Sequence, residues 1–467
     1  MTSQAIDQGL PELSNNTQPL ETESITRLYA KIAIPMAFGM VLSGLYNIID
    51  AYFIAKFIGA DAFAAVSAVF PLQMLIIAIG ALISNGVSIV ISQYWGAQKY
   101  DEAHKVLNNA FTLILLIAIV LAILIFCCTS QILNGISPTE LLFTNAKAYF
   151  VPITLGAIFV LSLSLICDLL RAQTNMQGLF LIILLGALAN VLLDYLFIVI
   201  GDMGVSGAAF ATLLGQLMGI ILGLKLLSSG KPSLQISTLR LTLNIDVIMR
   251  FLSLGLPVFV SYLGASIIML LINSSIAHRA LIDTEQLIAA YGIISRINIF
   301  LILPLIAISY ASQTIMAHNF GANNAKRVKK AAITGGVVAT CYLSVMTLCL
   351  YLLPRQIIDL FSQQESLISQ TQSIAGIMFL MLPLSGVSAI CIAFFQATGR
   401  AKLALTLSIA QIYLFLLPSI LFILTQYELG KIWYAFPLSH CLSIVLTVTL
   451  LWTQKRTLKL AHMSYQN

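Results

Sequence analysis

Twelve apolar stretches divide this chain, near residues 29–54, 64–95, 106–129, 147–170, 179–200, 206–228, 248–276, 287–318, 331–353, 373–395, 403–425 and 432–453. Each is long enough for a helix to cross a hydrocarbon layer roughly 30 Å thick, which takes about 20 residues. Bare peptide groups find no water there, so the backbone has to close its own hydrogen bonds as helices. Composition points the same way: 59% of residues are hydrophobic and 9% are charged, against roughly 25% charged in soluble domains. The fold class predicted is an all-α integral membrane protein with twelve transmembrane helices.

The longest connection runs from Ser228 to Asp246, is polar, and contains Gly230-Lys231-Pro232. It splits the spans six and six. The organisation predicted is a disordered cytoplasmic tail at 1–26, an N-lobe at 27–228, a linker at 229–246, a C-lobe at 247–453 and a second tail at 454–467. An even span count puts both termini on one side. That side collects eighteen lysines and arginines against five on the other, with Arg296 inside a span. By the positive-inside rule both termini are cytoplasmic, in the inner membrane of a bacterium or archaeon. The polar start of the chain lacks the basic, apolar, small-residue order of a cleaved signal. The net charge of +6 is modest and suggests no nucleic-acid partner.

A shift of 225 lays Ser92-Gln93-Tyr94-Trp95-Gly96-Ala97-Gln98 on Ala317-His318-Asn319-Phe320-Gly321-Ala322-Asn323. It also carries Ala64-Ala65 onto Ala289-Ala290, and Arg171-Ala172-Gln173-Thr174 onto Gln396-Ala397-Thr398-Gly399. Six spans per repeat keep the two copies in the same orientation, so the lobes form a parallel repeat about an axis along the membrane normal. A solute site is expected in the gap between them.

Two acids interrupt the apolar runs, Asp50 and Asp194. A charge at mid-bilayer costs about 2.5–3.5 kcal/mol on insertion scales, so such a residue tends to face a cavity, a partner or a proton path. Asn190 and Asp194 are one helical turn apart and share a face. Their residues alone leave open a cation site or a hydrogen-bonded clasp between the fifth and sixth helices. For Asp50 the alternatives are a buried site or a wetted outer helix end; for Tyr46, the same cavity or the interface. The repeat carries Asp50 onto Ser275 and Asp194 onto Ser419, which marks the N-lobe as the ion-handling one. Asp168 and Arg171 are expected to pair locally, and Arg296 to snorkel or bond carbonyls. Seven cysteines with no paired ligand spacing read as buried free thiols. No phosphate-cradling glycine loop, His/Glu metal motif or nucleophile elbow is present. The expectation is therefore no cofactor and no enzyme activity, with an Asp50–Asp194 aspartyl dyad as the formal enzymatic alternative.

These motifs in this order resemble the multidrug and toxic compound extrusion (MATE) family, its archaeal and DNA-damage-inducible protein F-like branch in particular. The resemblance rests on Ser92 to Ala97, Arg171-Ala172-Gln173, Gly204-Val205-Ser206-Gly207-Ala208-Ala209-Phe210-Ala211-Thr212, Tyr291-Gly292 before Arg296, and Asn319-Phe320-Gly321-Ala322. It implies an antiporter exchanging H+ or Na+ for amphipathic, mostly cationic drugs or toxic compounds, working as a monomer in the lipid bilayer. It also implies a coupling-cation site at Asp50, Asn190, Asp194, Thr212 and the Ala208 carbonyl, which are oxygen ligands suited to Na+. Pro35 would be a hinge, and Tyr46, Tyr149 and Ser164 would line the substrate cavity. Acids that a vibrio-type branch carries in the seventh and tenth helices are missing here. The alternative is a lipid-linked oligosaccharide flippase, whose cavity should hold several buried cations, whereas here Arg296 is expected to be the deep one.

Overall fold

The computed structural model describes residues 19–134, 139–229, 240–279, 284–359, 364–427 and 429–464, and among them the regular structure is entirely helical. Ten helices are long and apolar enough to cross a bilayer, and two bent pairs complete twelve. The spans are α1 (Ile25–Ile58), α2 (Ala60–Gly96), α3 (Tyr100–Asn134), α4 (Glu140–Leu155 with Ala157–Ala172), α5 (Met176–Ile200) and α6 (Gly204–Ser229) in the N-lobe. The C-lobe holds α7 (Ile245–Ile276), α8 (Ala289–Gly321), α9 (Ala325–Leu352), α10 (Glu365–Met378 with Leu382–Ala397), α11 (Ala401–Gln426) and α12 (Gly430–Thr453).

The repeat recurs in the backbone. A shift of 225 carries the ends of α2 and α4, Gly96 and Ala172, onto those of α8 and α10, Gly321 and Ala397. The bends repeat too, 52° in α4 and 49° in α10. The turns after α2 and α8 use left-handed Gln98 (φ 57°) and Asn323 (φ 55°), and those after α4 and α10 use Thr174 (φ 58°) and Gly399 (φ 75°). A non-glycine residue pays about 1–2 kcal/mol for that conformation, so its recurrence at matching positions reflects one architecture used twice.

Twelve crossings return both termini to one face, the terminal face, and there the lobes meet. Gly86 on α2 and Gly255 on α7 cross so closely that a Cβ on either would lie 1.9 Å from the Phe251 carbonyl or 1.8 Å from the Leu82 carbonyl. Gly96 and Gly321 make a second crossing, 1.9 Å from the His318 and Gln93 carbonyls by the same construction. One apolar core runs through both lobes, whereas the far half of the N-lobe packs round a separate core that includes Ile54, Val69, Ile153 and Ile198. The lobes are thus joined at the terminal face and packed independently beyond it.

Two connections differ from expectation. The end of the first tail is docked rather than free: Leu20 is buried in a short helix, Pro19–Thr22. Asn319 Nδ2 donates to the Leu20 carbonyl at 3.1 Å, and Arg327 Nη2 donates to the Leu20 and Glu23 carbonyls at 2.9 and 2.7 Å. At the other end, the helix of α12 continues to Ser464, into the segment expected to be a tail. Linker residues 230–239 lie outside the described residues; its end docks on α3, with the Asn244 amide donating to Asn109 Oδ1 at 2.6 Å. All seven cysteines are free thiols, but Cys391 alone of them is buried in the protein. In a membrane span an apolar position is as often a lipid-facing one, so apolar surroundings in sequence do not imply burial.

Candidate functional site

The site is built where α1, α5 and α6 converge in the N-lobe. α5 and α6 approach at Gly215, where a Cβ would lie 3.3 Å from the Gly186 carbonyl and 3.5 Å from Asn190 Cβ. A Cβ at 215 would rest in ordinary contact with Asn190 and press only slightly on the Gly186 carbonyl. Asn190 Nδ2 reaches Thr212 Oγ1 at 3.4 Å. One turn on, Asp194 is completely buried, and Asp50 reaches it from α1 so that the two carboxyls meet side chain to side chain. That approach becomes a hydrogen bond only when one of them carries a proton.

Asp50 Oδ1, both Asp194 oxygens and Asn190 Oδ1 are sealed from water without a hydrogen-bond donor. Two buried carboxylates in contact cannot both stay charged without a compensating proton or cation. The four orphaned oxygens belong to side chains of one small buried cluster, the donor set that a hard cation prefers. Ala208, fully buried on α6, lies one turn before Thr212. Tyr149 is 3% exposed and lies near Asp50, Tyr46, Asp194 and Gln73. Tyr46 lies near Ser43 and Asn47 on its own helix. Both acids precede a wide π-type turn, Ile54–Ile58 after Asp50 and Tyr195–Ile200 after Asp194. Such turns recur at functional sites, and nothing in the local sequence announced them. Pro35 sits in the first half of α1, which continues through it as one helix from Ile25 to Phe53.

Ser164 lies elsewhere, in a second polar cluster at the joined end of the lobes. Its hydroxyl is 3.0 Å from Ser84 Oγ, which donates to Asp168 Oδ2 at 2.6 Å. Asp168 Oδ1 accepts from Arg171 Nε at 3.0 Å, the local pair expected from sequence. Arg171 then crosses to the C-lobe: Nη1 donates to Gln313 Oε1 and Thr314 Oγ1 at 3.1 Å each and to the Tyr310 carbonyl at 3.3 Å. Gln313 continues the chain of bonds to Asn85 and Gln396. Arg171 is 1% exposed, so it is a deep cation of the inter-lobe surface, whereas Arg296 is exposed. The sequence showed only its local partner Asp168, because the partners that bury it are more than 130 residues away.

A sequence profile of the MatE family matches residues 35–196 and 257–421, one stretch in each lobe. The chain belongs to the MatE family. The probable multidrug resistance protein YoeA of Bacillus subtilis (strain 168) is 23% identical over 440 residues, covering 92% of this chain and 94% of that protein. The MATE multidrug transporter DinF-BH, solved in complex with the dye rhodamine 6G, superposes with a TM-score of 0.82 at 29% identity, over 93% of this chain and 97% of its own. A MATE solved in bent and in straight conformations superposes with a TM-score of 0.84 for each at 22% identity, over 94% and 95% of this chain and 97% and 98% of that chain. MatE proteins are transporters, and the enzymatic alternative falls away.

Proposed function

We propose that this MatE transporter is an antiporter that lets H+ or Na+ in and drives amphipathic, mostly cationic organic compounds out. The observation that carries the reading is the contact of Asp50 with Asp194, in which Asp50 Oδ1, both Asp194 oxygens and neighbouring Asn190 Oδ1 are buried without a donor among the described residues. This is a cluster that wants one positive charge and has none of its own. Asp50, Asn190, Asp194, Thr212 and the Ala208 carbonyl form the coupling site, with Tyr46 and Tyr149 beside it. When bound, Na+ would supply the compensating charge directly; a proton would supply it by turning the carboxyl contact into a hydrogen bond. Cation binding and drug binding oppose each other because a cavity that stabilises one cation at a time disfavours holding ion and drug together, and by linkage the opposition is reciprocal. The excess of lysine and arginine on the terminal face supports a cytoplasmic terminal face in a prokaryotic inner membrane. Multidrug relatives and the rhodamine complex of a 29%-identical MATE support drugs as substrates.

The test is uptake of the rhodamine dye into everted vesicles energised separately by a pH gradient and by a Na+ gradient. Uptake driven by either gradient, and lost with Asp50→Asn, is expected. Uptake that needs neither gradient would refute antiport.

A further inference from the structure

Arg171 has one contact beyond its hydrogen bonds: its Cζ lies 4.6 Å from the centre of the Tyr310 ring. The guanidinium comes from α4 in the N-lobe, the ring from α8 in the C-lobe. Tyr262 on α7 is an electrostatic neighbour of Tyr310, and Asp168 acts on both hydroxyls. Tyr262 and Tyr310 keep partial exposure, while the arginine between the lobes has almost none. The Tyr310 ring from the C-lobe and the Asp168 carboxylate from the N-lobe thus hold between them a flat, delocalised, weakly hydrated cation, with Tyr262 near the ring, and that cation is part of the chain.

We propose that the Tyr310 face, flanked by Tyr262, is a binding surface for flat organic cations, and that Arg171 is its tethered competitor. This rests on the efflux reading above. Lobes that part at the terminal face move α4 away from α8, and Arg171 leaves the ring. It keeps Asp168, a partner within its own lobe, so its charge stays compensated after Gln313, Thr314 and the Tyr310 carbonyl are gone. The bare ring then offers a drug the same cation–π contact. Closing the terminal face returns Arg171 to the ring, and two cations cannot share one face, so the drug is displaced toward the far side. The competitor makes release part of closure.

The experiment uses the full chain in detergent, with fluorescence polarisation of the rhodamine dye for affinity, and proteoliposomes for transport. Tyr310→Ala should weaken dye binding by about 3- to 30-fold, the range of a cation–π contact. Tyr310→Phe keeps the ring and should restore affinity to within about twofold of native, as the ring rather than the hydroxyl holds the cation. Arg171→Gln should tighten dye binding and slow transport, so that KM and kcat fall together; loss of packing alone would not tighten binding. Native affinity in Tyr310→Ala, or unchanged affinity in a folded Arg171→Gln, overturns the assignment. If Arg171→Gln does not elute as a folded species, the Tyr310 pair decides. Absence of dye transport by the native protein would overturn the efflux reading and this inference together, whereas native transport with an unaffected Tyr310→Ala overturns this inference alone.

Discussion

Gly96→Ala should prise the terminal face open. The added Cβ would lie 1.9 Å from the His318 carbonyl oxygen, where ordinary contact begins at 3.4 Å. The obstacle is backbone inside α8, not a side chain that can rotate away, so the lobes have to separate by about 1.5 Å at this crossing. Overpacking of this kind costs about 1–3 kcal/mol. Here that penalty falls only on the state in which α2 and α8 touch, so the equilibrium shifts about 5- to 150-fold away from it. The assay is a spin-label distance between cysteines replacing Tyr100 and Lys326 at the starts of α3 and α9, on a background without the native cysteines. The expected result is a longer distance distribution and slower efflux of the rhodamine dye. Gly321→Ala loads the repeat-related side of the same crossing, so it should give the same shift, and the double variant less than the sum. A native distance distribution in Gly96→Ala would refute the idea that this crossing closes the transporter.

Asp50→Asn removes one of the two acids of the proposed coupling site; driven efflux should vanish while drug affinity stays measurable, and normal efflux at a full ion gradient would exclude Asp50 from coupling. Thr212→Val leaves Asn190 Nδ2 without its 3.4 Å acceptor and removes one oxygen of the proposed coupling site; Na+ stimulation should fall more than pH-driven transport, and equal loss under both gradients would make Thr212 a packing residue. Pro35→Ala gives the Lys31 carbonyl the amide partner that proline denies it; turnover should slow with near-native ion affinity, and a native rate would remove a Pro35 hinge from the mechanism.

The legible part of this protein was whatever depends on spacing along the chain. The twelve spans follow from apolar length against bilayer thickness, and the parallel lobes from a register of 225 that the backbone repeats down to its left-handed turns. Asn190 and Asp194 were readable as partners because a helix puts one turn's residues on one face. The docking of Leu20 was not readable, since its partners Asn319 and Arg327 lie at the other lobe's elbow.

Tertiary structure alone decided what the charged residues meet. Asp50 and Asp194 are spread over five spans, and only the packing of α1 on α5 turns two expensive acids into one site. Ser164 and Tyr149 share a bent helix, yet the first joins Asp168 and the second lies near Asp194. Arg171 shows the difference most clearly. By composition it is one more cation near a membrane face, free to reach water. Crossing glycines bring the second lobe over it, take that water away, and supply the carbonyl, amide and ring that its charge then requires. Burial depends on how the whole chain closes, so no local pattern encodes it.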